Sequence, residues 1–131
     1  MSYYFNTTIK NNTFDTVIEK LTESLKSEGF GILTEIDVQQ TFKKKLDVDF
    51  KKYKIFGACN PEFAHKAIEV EDKIGVLLPC NIVVEENTTG DIEVTAVDPV
   101  ASMISVKNNK LGELAIQIHE KLKRVIDNLS L

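Results

Sequence analysis

The sequence predicts an α+β fold, a mostly antiparallel sheet with helices packed on one of its faces. Three observations carry that expectation. Near each end of the chain, apolar residues recur at helical spacing with charge on the opposite side. Between these ends the apolar residues fall into β-branched runs or alternate with polar ones, as strands do. One pair of such runs is joined by a short Gly-containing turn, the mark of a hairpin. Two amphipathic helices need a flat apolar surface, and one face of a sheet supplies it.

Residues 3–9, YYFNTTI, alternate and form the first predicted strand. Asn12 or Thr13 caps a helix carrying Phe14, Val17, Ile18, Leu21 and Leu25 on one side, with Gly29 as its stop. FGILTEIDV, residues 30–38, is rich in β-formers, and Asp37 caps a short helix bearing Val38, Phe42 and Leu46. A third strand is expected through FKKYKIFGA, with Cys59 at its exit. The run IGVLLPCNIVVEE, residues 74–86, is apolar on both faces, as a largely buried strand would be, and NTTGD turns it into IEVTAV. From Lys110 onward, Leu111, Leu114, Ala115, Ile118, Leu122, Val125, Ile126 and Leu129 make the apolar stripe of a helix of about five turns. The order is β-α-β-β-β-β-α, with short helices inserted between the middle strands.

The 131 residues, 43% apolar and 27% charged, have globular composition and the length of one domain, and no linker or repeat divides 1–131. A formal charge of −4 argues against a general nucleic-acid binder. The N-terminus lacks the basic and apolar regions of a secretory signal, and the longest apolar run is too short to span a bilayer, so a cytoplasmic protein without membrane attachment is expected. In a reducing compartment the two cysteines are free thiols, and the four Asn-x-Ser/Thr triplets are chance matches.

Those cysteines occupy two unusual stretches, GACNPEFAH (57–65) and LLPCN (77–81). In the first, Asn60 is a favoured N-cap and Pro61 an ideal first helical residue, so a helix with Phe63, Ala64, Ala67 and Ile68 inward is expected. The same device recurs at Asp98-Pro99, ahead of another short helix. In the second, Pro79 falls inside the predicted strand, where it donates no ladder bond and so demands an edge or a bulge. With alternation preserved, Cys80 shares a buried face with Val76, Leu78 and Ile82. Each cysteine reads first as a small buried hydrophobe, and second as a reactive or ligand-contacting thiol.

Cys59, Cys80, His65 and His119 are the right residue types for zinc, but their spacing fits no close-paired ligand pattern, and solvated or rim histidines are the plainer reading. Lys43, Lys44, Lys45, Lys51, Lys52 and Lys54 form the one local charge asymmetry, diluted by Asp47 and Asp49, and read as a solvated face. Phosphate-binding loops, dinucleotide fingerprints, hydrolase elbows and metalloprotease motifs are all absent.

DFKKYKIFGACNPEFAHKAI, IGVLLPCNIVVEE and VTAVDPVASM, in that order and followed by a long C-terminal helix, resemble the bacterial and archaeal family known as domain of unknown function 302. The resemblance spans essentially the whole chain and implies a TATA-binding-protein-like β-α-β(4)-α fold. That likeness carries no implication of DNA binding, because function lives in sites and not in folds. It also brings no established activity, and hence no catalytic residue. Two readings follow from the residues. One is a small-molecule or metal binding module, a homodimer, with a site lined by Cys59, Asn60, Cys80, Asn81 and Asp98. The other is a thiol-dependent enzyme or redox protein using Cys59 or Cys80. A structural protein without a small-molecule site is the plain alternative.

Overall fold

Five strands, β1 (Tyr4–Ile9), β2 (Gly31–Asp37), β3 (Tyr53–Cys59), β4 (Cys80–Glu86) and β5 (Ile92–Val97), form one antiparallel sheet in the order β1-β5-β4-β3-β2. The computed structural model describes residues 2–130. Around the sheet run α1 (Phe14–Ser27), α2 (Val38–Leu46), α3 (Pro61–Val70), a 3-10 turn (Asp72–Leu77), α4 (Pro99–Ser102) and α5 (Asn109–Leu129). With α2, α3 and α4 counted as insertions, the chain has the expected β-α-β(4)-α order.

Alternation decides which side chains reach the core. On β4 the buried residues are Cys80, Ile82 and Val84, and on β5 they are Ile92, Val94 and Ala96. Against them lie Val17, Leu21 and Leu25 of α1 and the seven-residue stripe of α5 from Leu111 to Leu129. Each fully buried Leu, Ile or Val in this layer is worth about 1.5–3 kcal/mol of apolar burial. The helices begin where side chains satisfy their free N–H groups. Thr13 accepts from Thr16, and Asn108 accepts from Lys110 and Leu111. Gly29, at φ +85°, turns the chain out of α1 into β2.

Several elements differ from expectation. The strand predicted over 74–86 begins only at Cys80, because residues up to Leu77 wind into the 3-10 turn that follows α3. An all-apolar run of this length satisfies either conformation, and the packing of Ile74 into the core settles it. Val76 consequently lies 85% exposed rather than beside Cys80 in the core. Pro79 marks neither an edge nor a bulge. β4 is a central strand, and the proline stands one residue before it, where no ladder N–H is required, joined to Leu78 by a cis peptide. The irregularity in register lies on the edge strand β2, between Ile32 and Thr34. Ile68, expected inward, is 43% exposed, and α2 buries none of its residues fully.

Candidate functional site

The CNP and PCN segments meet at one end of the sheet, because β3 ends at Cys59 where β4 begins at Cys80 and the two strands are paired with Ala58 opposite Cys80. Asn60 then does two things. Its Oδ1 accepts the Phe63 N–H at 3.2 Å, capping α3, and its Nδ2 donates to the Glu28 carbonyl at 3.4 Å, tying the start of α3 to the end of α1. Backbone and cap thus fix both neighbours of the first thiol.

Around these residues lies a cleft of about 300 Å³. Phe30 and the α3 side chains Phe63, Ala64 and Ile68 form one wall, Leu33 and Thr34 of β2 another, and Gly75, Leu78 and Pro79 a third. Cys59, half-buried, and Cys80, buried, complete it with Asn60. None of its thirteen lining residues carries a charge. Burial raises the Cys80 thiol to about 11, and the neighbouring Cys59 adds to the rise. Cys80 is therefore held as the neutral thiol at ordinary pH.

Of the five residues marked from sequence, three line this cleft and two do not. Asn81 is exposed and belongs to the opposite face of the sheet, paired with Gly57. Asp98 lies at the same end of the sheet but faces α5. Its Oδ1 accepts the Val100 N–H at 3.0 Å, capping α4, and contacts His119 Nδ1 at 2.8 Å. A carboxylate accepts only, so Nδ1 is the donor of this bond, while Nε2 lies 3.9 Å from Glu120 Oε1.

His119 is a rim residue, its side chain 27% exposed, but one with fixed partners. Besides Asp98, its ring meets Phe5 edge-on at 4.9 Å, so one side chain joins α5 to β1 and to the β5–α4 junction. The available signal was its place on the flank of the α5 stripe, opposite a buried Asp-Pro cap. His65 pairs instead with Glu69 at the surface, 3.5 Å away. Among the described residues no three of His, Cys, Asp and Glu gather closely enough to hold a metal ion. Three of the six clustered lysines form separate pairs, Lys51 with Glu85, Lys54 with Glu35, and Lys43 with Asp47 and Asp49. No helix of the described residues is long and apolar enough to cross a membrane.

The comparisons with known proteins agree with this architecture. An uncharacterized conserved protein DUF302 from Bacillus stearothermophilus, known by crystal structure, superposes with a TM-score of 0.90 at 27% identity, covering 98% of this chain and 99% of that one. No curated protein gives a significant match. Residues 5–129 match the family described as domain of unknown function DUF302, and the chain belongs to that family.

Proposed function

We propose that the chain is a small-molecule binding module, working as a homodimer, whose site is the cleft between the ends of β3 and β4, α3 and the 3-10 turn. The observation that carries this reading is the convergence of Cys59, Asn60 and Cys80 on one cavity of about 300 Å³ without a charged lining residue. A volume at the lower end of the range for small-ligand sites suits a compact, neutral, largely apolar molecule. Asn60, Thr34 and the thiols offer its polar and soft contacts. The chemistry excludes a phosphorylated or carboxylated ligand, since no cation is there to meet it.

The alternative of a thiol-dependent enzyme gains less support. A nucleophilic cysteine needs a base or a lowered pKa. Neither histidine lines the cleft, and Cys80 is pushed away from its thiolate.

The test uses Cys59 as a built-in reporter. Neutral fragments such as indole and benzyl alcohol are titrated while alkylation of Cys59 by iodoacetamide is followed by mass spectrometry. Protection of Cys59 in the wild type, lost in Ala64→Phe because the new ring fills the cleft, is the expected result. Equal alkylation rates with and without every fragment, in both proteins, would remove the cleft as a binding site.

A further inference from the structure

We propose that a second copy of this chain packs on the open face of the sheet, face to face about a two-fold axis that crosses the strands. The inference rests on the homodimer reading above and names its surface. An antiparallel sheet facing water normally presents polar residues on that side. Here the register sets Ile36 beside Ile55 and Ile55 beside Val83, three aliphatic side chains in a row across β2, β3 and β4. Ile36 is 51% exposed. Thr95 and Asn6 continue the row across β5 and β1, with Asn6 Nδ2 donating to Thr95 Oγ1 at 2.8 Å.

Charge favours a copy of the same chain in this orientation. The face holds its carboxylates at one end, where Glu85 and Glu93 stand opposite each other. At the other end Asn81 is neutral, and the Pro79 ring covers its neighbour Gly57. An axis across the strands reverses their direction, so each acidic end lies on a neutral end while the aliphatic rows meet in the middle. The carboxylates are also already engaged. Lys51 donates to Glu85 at 2.6 Å and Asn6 to Glu93 at 3.3 Å, so the first carboxylate is paired with a cation and the second is held by a neutral amide.

Size agrees as well. Five strands at about 4.8 Å spacing and about 20 Å length span about 500 Å² on each copy, or about 1,000 Å² over the pair, the size of a weak, reversible interface. An apolar centre within a polar rim is the usual anatomy of such a contact.

Sedimentation equilibrium on the full chain, from low to high micromolar concentration, tests the proposal. Val83→Lys and Thr95→Glu alter the open face, whereas Ile116→Lys alters an exposed position of α5 and serves as the control. Circular dichroism selects the open-face variant that keeps the wild-type spectrum. The expected result is a wild-type dimer, at least about 30-fold weaker association in the open-face variant, and no change in the control. A dimer equally tight in every variant overturns the face while sparing the homodimer. A wild type monomeric throughout overturns both, and leaves the ligand cleft to its own test.

Discussion

Gly57 of β3 lies directly beneath the ring of Pro79. A Cβ added there would come within 2.6 Å of the proline Cγ and would overlap Thr34 Oγ1. Pro79 and Thr34 both line the cleft, so the missing side chain on β3 is what lets the two walls close over the strand. Gly57→Ala therefore has to push the Thr34 hydroxyl and the Pro79 ring aside, at a cost of about 1–3 kcal/mol. Gly31→Ala meets nothing within 4 Å and is expected to stay within about 0.5 kcal/mol of the wild type. Urea unfolding of the two variants decides the matter, and equal midpoints would show that Pro79 yields freely.

The Asp98 carboxylate holds two elements at once, α4 through Val100 and α5 through His119. Loss of an N-cap alone costs about 1 kcal/mol, and loss of a buried bond to an acidic group adds about 1–2 kcal/mol. Asp98→Ala is expected to lose about 2–3 kcal/mol, while Asp98→Asn, which keeps an accepting oxygen, loses less. The specific readout is the imidazole ¹⁵N spectrum of His119. At a pH where the ring is neutral, the proton should reside on Nδ1 in the wild type and redistribute toward Nε2 in Asp98→Ala. A wild-type ring already protonated on Nε2 would contradict the hydrogen bond.

The parts of the fold visible in the sequence are those fixed by local chemistry. Asn60 and Asp98, each followed by proline, announce helix starts because capping needs only neighbouring residues. The stripes of α1 and α5 follow from period alone. Pro79 was opaque for the opposite reason. Whether an apolar run bends into a 3-10 turn or continues as a strand depends on what packs on it, and that partner is distant in sequence. The cleft shares this difficulty. Phe30, Leu33 and Ile68 join the two cysteines only through the β2–β3 register and the angle of α3. His119 meets an acid 21 residues away, and no spacing rule connects an Asp-Pro cap to a histidine on a later helix.

The two thiols should differ sharply in reactivity. Cys59 is half-buried at the cleft, whereas Cys80 is 4% exposed and raised to about 11. A shift from 9.0 to about 11 lowers the Cys80 thiolate population about 100-fold at neutral pH, before any steric exclusion. Iodoacetamide is expected to label Cys59 in the folded protein and to leave Cys80 at least about 100-fold slower than in denaturant. Peptide mapping with time separates the sites. Comparable rates at Cys80 in both states would mean that the core opens at this end on the timescale of the reaction.

The same buried thiol predicts an alkaline weakness. Below a pH of about 9, Cys80 is protonated whether the chain is folded or unfolded, so its stabilising contribution is fully present. As pH rises from about 9 toward about 11, the unfolded chain releases this proton first and the folded chain retains it, so stability falls. Two pH units of displacement correspond to about 2–3 kcal/mol once the range is crossed. Tyrosines and lysines also titrate there, which makes the useful quantity a difference. Cys80→Ala removes the thiol, and the stability gap between wild type and variant should shrink by about 2–3 kcal/mol from about pH 8 to about pH 11. Unfolding free energies from urea titrations at several pH values supply the comparison. Parallel curves for the two proteins would mean that the thiol ionises in its folded surroundings as readily as in water, and that this end of the core is wetter than its packing indicates.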